Sequence, residues 1–394
     1  PRQGVKWESD GQGTFTVETV EKPTRGADVI LHLKEDAREF LEPWKLRETV
    51  CKFSDFIEHP IVMDVEKEGG TVDAEGKKNK VAVEETLNRR RAIWLRPRSE
   101  IKEEEYTEFY KHLTRHWDEP ARVIHYSAEG TIEFKALLFI PSERPLDLSL
   151  DFTRQAGLHL YIRRVFITDH CEKLLPAWLR FMRGVVDAAD LPLNVSREMI
   201  QENRRLEKIR KNLTGKALAA LAEMKQEEPE KYLKVWRAFG ALLKEGIASD
   251  IEHREKLAEL LLVETTATEP GKLVSLKEVR ERMPEGQDAL FYLVGENRAL
   301  LEASPCLEVF REKGWEALLL TEPIDEWLAQ GLTEYQGKPL KAADKGEMER
   351  TKDEGRRKKE EEYRDYLGFL KEKLGEEVGE VRLSARLKES AACL

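Results

Sequence analysis

Apolar and polar positions alternate at the start of the chain, Val5 and Trp7 before Phe15 and Val17, on either side of Ser9-Asp10-Gly11-Gln12-Gly13. A period of two interrupted by glycines predicts a β-hairpin. A third strand is expected at Val29-Ile30-Leu31-His32-Leu33, after the polar loop from Glu21 to Gly26. The period then lengthens to three and four, with Phe40, Leu41 and Trp44 on one stretch and Leu46, Val50 and Phe53 on the next, so two short helices follow with their break at Pro43. So few elements have little to pack against, and they read as the tail of a larger sheet domain. Residues 63–82 are dense in Glu, Lys, Gly and Asp, and read as a short charged linker or, equally, as a solvated hairpin tip.

A second unit opens near Ala92-Ile93-Trp94-Leu95. Its pattern predicts a helix from Glu103 to Leu113, strands at Ala121–Tyr126, Thr131–Ile140 and Leu158–Ile167, and helices at Leu175–Val186, Ser196–Leu213 and Tyr232–Leu243 with more helix up to Leu262. Strands followed by helices suggest an α/β layered domain. A β-α-α-β run then covers Ala289–Val294, Glu296–Glu302, Cys306–Glu312 and Ala317–Leu320, as in a small parallel βαβ sheet. Its single Gly295 makes no phosphate loop, so dinucleotide binding is not expected there. A charge run over 345–362 leads into an amphipathic helix with Tyr363, Leu367, Leu370 and Leu374 on one side, and a last strand is expected at Glu380–Leu387. Both ends look cut from something longer.

Composition narrows the classes. The 394 residues are 40 % hydrophobic and 36 % charged, and 66 basic against 76 acidic residues leave a net charge of −10. That balance disfavours a surface built wholly for nucleic acid or anionic lipid. No apolar run reaches membrane-spanning length and no apolar signal core opens the chain, so neither a membrane nor secretion is expected and a cytoplasmic location is. Cys51, Cys171, Cys306 and Cys393 stand far apart, which suggests reduced, buried thiols rather than a zinc site or disulfides.

The stretch most suggestive of chemistry is Leu191-Pro192-Leu193-Asn194-Val195-Ser196-Arg197-Glu198-Met199-Ile200-Gln201. Ser196 is a natural N-cap. In the helix after it, Met199, Leu206, Ile209 and Leu213 form a buried stripe, while Arg197, Gln201, Arg204 and Lys208 share the other face. An arginine in a first turn opposes the helix dipole, so it either serves a phosphate or makes a plain surface salt bridge. From Arg197 to Lys216 seven basic residues face three acidic ones, a local excess within an acidic chain. Asp10-Gly11-Gln12-Gly13 reads as a turn, His170-Cys171 as a structural cysteine beside a histidine, and His112 with His116 as solvated histidines lacking a third metal ligand. No metal site is expected. Trp117 and Trp327 are flanked by charges, a setting that leaves a large ring partly exposed, to anchor a partner or to pack on a neighbouring helix.

Several of these stretches together resemble the ninety-kilodalton heat-shock chaperone family, of the bacterial high-temperature protein G type. They are Trp7-Glu8-Ser9, Ile30-Leu31-His32-Leu33-Lys34-Glu35-Asp36, Phe53-Ser54-Asp55-Phe56-Ile57, Leu138-Phe139-Ile140-Pro141, Tyr161-Ile162-Arg163-Arg164-Val165-Phe166-Ile167-Thr168-Asp169, the Leu191 to Gln201 segment, and Leu319-Leu320-Thr321-Glu322-Pro323-Ile324-Asp325-Glu326. The resemblance implies an α/β, α+β layered fold in three modules. Residues 1–62 would be the tail of a GHKL-type ATPase sheet domain. Residues 83–342 would be an αβα middle domain, its large part reaching about residue 262 and a small βαβ part covering about 272–342. Residues 343–394 would start an α+β dimerisation domain.

By the same resemblance, Arg197 would reach the γ-phosphate of ATP with Gln201 as its partner, and Phe166 and Leu191 would brace their loop. Trp117, Trp327 and Glu326 would meet client proteins. Gly26 and Ala27 would be a vestige of the adenine side, where the family usually has threonine after the glycine. ATP and Mg2+ would belong to the full-length parent, a homodimer that handles unfolded clients and possible cochaperones. This chain, without most of the nucleotide site, is expected to bind neither and to be inactive alone. The competing reading is a non-enzymatic client- or cochaperone-binding module.

Overall fold

The computed structural model describes residues 3–72, 78–115, 117–144, 158–191, 204–344 and 361–384, with 387, 390 and 392, and gives no side chains for 66–81. The chain forms two compact units. One comprises residues 1–55 and 60–88, the other 56–59 and 89–394.

In the first unit β1 (Gln3–Ser9) and β2 (Phe15–Glu21) pair antiparallel, as the alternation predicted. Their turn uses Gly11 and Gly13 at φ +78° and +95°, a region closed to most side chains, and Asp10 Oδ1 accepts from Gln12 N at 2.9 Å. Trp7 stacks on Phe15 with centroids 6.3 Å apart. Val29–Leu33 is not a strand. It pairs with no strand among the described residues, and a β-branched run becomes a strand only where another strand completes its hydrogen bonds. Pro43 begins α1 (Pro43–Phe53) after a 3₁₀ turn at Glu35–Leu41, so the expected break is there, with Trp44 on its far side. The charged stretch is not a linker: β3 (Val62–Val72) and β4 (Lys78–Thr86) pair antiparallel through it. Among this unit's described residues only Asp55, Leu87 and Asn88 are buried. Its hairpins and short helix therefore enclose no core of their own. Cys51, expected to be buried, is exposed.

The second unit is built on a five-stranded sheet of order β5-β6-β9-β7-β8. The strands are β5 (Pro120–Ala128), β6 (Phe134–Pro141), β7 (Leu158–Ile162), β8 (Val165–Cys171) and β9 (Arg183–Ala188). β7 and β9 run parallel and the other neighbours antiparallel. Two expectations change here. The strand foreseen over Leu158–Ile167 is two strands, folded back at Arg163 and Arg164, both left-handed at φ 49° and 69°. The helix foreseen at Leu175–Val186 is a 3₁₀ turn at Ala177–Leu179 followed by β9, whose six residues are all buried. A short apolar run covered on both faces has no period to tell strand from helix. Gly184 permits that placement, because a Cβ at its φ of +148° would lie 2.3 Å from the Leu137 carbonyl oxygen.

One face of this sheet carries α2 (Glu103–Thr114), which buries Tyr106, Phe109 and Tyr110 in a cluster with Phe56, Trp94, Phe139, Tyr161 and Val185. The other face carries α3 (Arg204–Glu227), α4 (Pro229–Ser249) and α5 (Arg254–Leu260) in the main core. Leu206, Ile209 and Leu213 are buried there as the stripe predicted, with Arg204 and Lys208 exposed opposite.

The second sheet is larger than a βαβ unit. Six strands run in the order β11-β10-β13-β12-β15-β14. They are β10 (Leu262–Thr265), β11 (Val274–Ser275), β12 (Leu290–Val294), β13 (Ala317–Leu320), β14 (Glu334–Tyr335) and β15 (Lys338–Ala342). The foreseen parallel pair is β12 with β13, and β15 extends it on the other side of β12. Four short helices accompany the sheet: α6 (Leu276–Glu281), α7 (Arg298–Glu302), α8 (Glu308–Lys313) and α9 (Asp325–Gly331). The amphipathic helix near the end is α10 (Arg364–Leu374). The described residues 380–384 form no strand.

Gly184→Ala should cost at least about 3 kcal/mol, since either the new methyl meets backbone or β6 and β9 part. Urea unfolding followed by circular dichroism would measure the loss. A midpoint within experimental error of the parent would refute the close approach.

Candidate functional site

Arg197 and Gln201 lie outside the described residues, but the anchors on either side of their segment are in place. Before it, Leu191 is 4 % exposed in the main core and its N–H donates to Ala188 O at 3.3 Å. Asp190 Oδ2 accepts from Glu133 N at 2.8 Å, fixing the same corner to the β5–β6 turn. After it, Arg205 donates to the Asp190 carbonyl at the start of α3. Leu191 and Arg205, on either side of residues 192–203, are therefore held at one corner of the five-stranded sheet.

A cavity of about 620 Å³ opens at that corner, lined by Leu95, Lys135, Arg163, Arg164, Asp187 and Ala189 among others. Arg163 Nε donates to Ala189 O at 3.3 Å, so the β7–β8 turn holds the stem of the segment. Asp187, 6 % exposed, organises the wall. Its Oδ2 accepts from Trp94 Nε1 at 3.1 Å and its Oδ1 from Arg164 N at 3.3 Å. Burying that carboxylate is tolerable because both oxygens are satisfied. Asp187 was not foreseen, since its partners are far from it in sequence.

The foreseen loop supports are on different faces. Leu191 is in the main core, whereas Phe166 packs edge-on to Tyr161, 5.5 Å between centroids, on the α2 side. His159 is beside Phe166 at 5.9 Å, and burial pushes its imidazole down to about 4. His125 is held low mainly by burial. Its Nε2 faces the Trp94 carbonyl at 3.1 Å and its Nδ1 faces Tyr106 Oη at 2.8 Å. That arrangement suits a neutral ring with the proton on Nε2. Cys171 is a buried thiol pushed up to about 11, chiefly by burial, in keeping with the structural cysteine read from the sequence.

The two charge-flanked indoles are solvent-facing. Trp117 is 92 % and Trp327 65 % exposed, while Trp94, Trp178 and Trp236 are buried. Glu326 is exposed beside Trp327 on α9. Gly26 and Ala27 lie in an exposed stretch where a Cβ on Gly26 would meet nothing within 4 Å. A nucleotide base needs walls against which to stack, and these residues provide none, so they do not fit ATP by themselves. Among the described residues no group of three His, Cys, Asp or Glu could hold a metal, and no helix is long and apolar enough to cross a membrane.

The Hsp90 protein family profile matches residues 66–394. The chain belongs to the Hsp90 family. Over 99 % of its length it is 52 % identical to the chaperone protein HtpG of Geobacter sulfurreducens, covering 62 % of that protein. Over its whole length it is 45 % identical to the HtpG of Mycolicibacterium vanbaalenii, and over 99 % it is 43 % identical to that of Myxococcus xanthus, covering 62 % and 59 % of them. This Hsp90 chain thus spans about three fifths of the relatives it matches.

Protonation gives a test of the packing around the corner. His159 is neutral when folded, whereas in the unfolded chain it takes up a proton below about pH 6.5, so stability is full above that pH and falls as the pH drops towards 4. His159→Gln should flatten this slope in urea titrations by up to roughly 3 kcal/mol across the window. An unaltered slope would assign the dependence to other groups.

Proposed function

We propose that the chain is the central part of an ATP-dependent molecular chaperone of the cytoplasm that binds unfolded proteins. The observation that carries this reading is the pair of exposed indoles. Six of the eight tryptophans have ordinary roles or lie in the coreless unit, but Trp117 and Trp327 stand in solvent on a well-packed one. Keeping large apolar surface in water is unfavourable unless a partner covers it, and unfolded segments offer complementary apolar groups. Glu326 beside Trp327 favours clients with basic residues next to apolar ones.

The ATPase part of the proposal concerns residues 192–203. The face of α3 that leaves Arg204 and Lys208 exposed would, one and two turns earlier, bear Gln201 and Arg197. In the full-length protein Arg197 would stabilise charge on the γ-phosphoryl oxygens during attack by water, with Gln201 beside it. ATP and Mg2+ would sit on parts of that protein beyond these residues. Homodimerisation and cochaperone binding are further parts of this reading, and residues 343–394 would contribute to the dimer end. The second reading, a binding module without turnover, is favoured for the chain alone by the missing walls around Gly26 and Ala27.

In the full-length protein Arg197→Ala should lower ATP turnover by roughly 10²- to 10³-fold and leave nucleotide affinity within about twofold. Normal turnover in that variant refutes the role. The 394-residue chain alone should hydrolyse no ATP above background. Trp327→Ala should weaken binding of a fluorescent, reduced and carboxymethylated protein by about tenfold, equivalent to about 1.4 kcal/mol. Equal affinity would remove Trp327 from the client surface.

A further inference from the structure

The stripe that α4 turns to the core contains Tyr232, Val235, Trp236, Phe239, Leu243 and Ile247, and within it one lysine, Lys244. Its side chain is 7 % exposed, and Nζ lies 2.8 Å from Asp325 Oδ1 and 3.1 Å from Glu322 Oε2. Asp325 is more deeply buried, at 1 %. Its Oδ2 accepts from the Glu322 backbone N–H at 3.0 Å. Its Oδ1 has no aligned hydrogen-bond donor, so the Lys244 charge is what compensates that oxygen. Removing one member of such a pair strands the other charge in the interior.

Asp325 is the first residue of α9 and Gly331 the last. Gly331 is also pressed to α4, since a Cβ there would come within 2.8 Å of Ala248 Cα. The helix is thus fastened to α4 at both ends, by an ion pair at one and a close backbone approach at the other. Seven residues are too short to hold helical shape alone. Between the two fastenings Leu328 turns inward, at 2 % exposed, and Trp327 turns out.

We infer that Lys244 is a positioning residue for Trp327: through Asp325 it fixes the short helix whose outward face presents that indole to an apolar protein segment. The inference rests on the reading of Trp327 as a client contact. Lys244 itself, sealed in the core, touches no client.

Hydrogen exchange and a double-mutant cycle in the full-length protein test it. Lys244→Met should raise exchange of the 325–331 amides at least about tenfold while α4 amides keep their protection, a local opening rather than a global one. The same substitution should weaken binding of the fluorescent carboxymethylated protein about fivefold in the parent and not at all on a Trp327→Ala background. Adding Asp325→Asn to Lys244→Met removes both charges, keeps an oxygen for the Glu322 amide, and should restore most of the protection and affinity. Unchanged exchange over 325–331, or the same loss of affinity with and without Trp327, would overturn the inference. Should Trp327→Ala alone leave affinity unaltered, the client reading fails, and the positioning inference falls with it even if exchange has risen. If Trp327→Ala does weaken binding, only Lys244→Met decides between a positioned and an independent helix.

Discussion

Covering the five-stranded sheet on both faces is the constraint from which the second unit follows. Its central strand β9 is buried along all six residues, with α2 and its aromatic cluster on one side and α3, α4 and α5 on the other. At Gly184 the backbone takes a φ of +148° at which a Cβ would run into the Leu137 carbonyl, so the pairing of β6 with β9 there needs a glycine. Once β9 is fixed, so is the corner at its end. Asp187 then ties Trp94 to the β7–β8 turn, and Leu191, the last described residue before 192–203, is anchored in the main core. Under the role proposed for Arg197 such an anchor would matter, because a misplacement of about an ångström can cost two orders of magnitude in rate.

The two units are opposites in energetic terms. In the second, large side chains such as Trp94, Phe139, Phe181 and Phe239 are fully buried, and Phe181 stacks on Phe239 with centroids 4.4 Å apart. In the first, Val5, Trp7, Val29, Ile30, Leu31 and Trp44 remain exposed. Hairpins bonded within themselves satisfy their backbone groups locally, yet they gain little from burial without a further layer.

Among the buried charged side chains of the described residues, Asp187 and Asp325 each serve position. Asp187 and Asp325 would each be costly alone, and each is satisfied by partners from a different element. Such pairs add little net stability compared with apolar packing, but they specify one arrangement, which periodicity does not. At Asp187 the arrangement is that of two turns around the stem of the arginine segment. At Asp325 it is that of a one-indole helix on α4.

How much was readable in advance depended on the distance over which each feature is decided. The glycine turn of the first hairpin, the N1 proline of α1, the extent of α2 and the stripe of α3 are all set by residues a few positions apart, and the sequence determined them. The family was legible for a related reason, since whole motifs such as the Tyr161 to Asp169 stretch are local strings. Val29–Leu33, β9, the fold-back at Arg163 and Arg164, the six-stranded sheet and the Lys244 ion pair, whose Glu322 partner is 78 residues away, were decided by tertiary structure. Hydrogen bonding between strands, burial on two faces and compensation of charge depend on which surfaces meet, and no window of neighbouring residues contains that information.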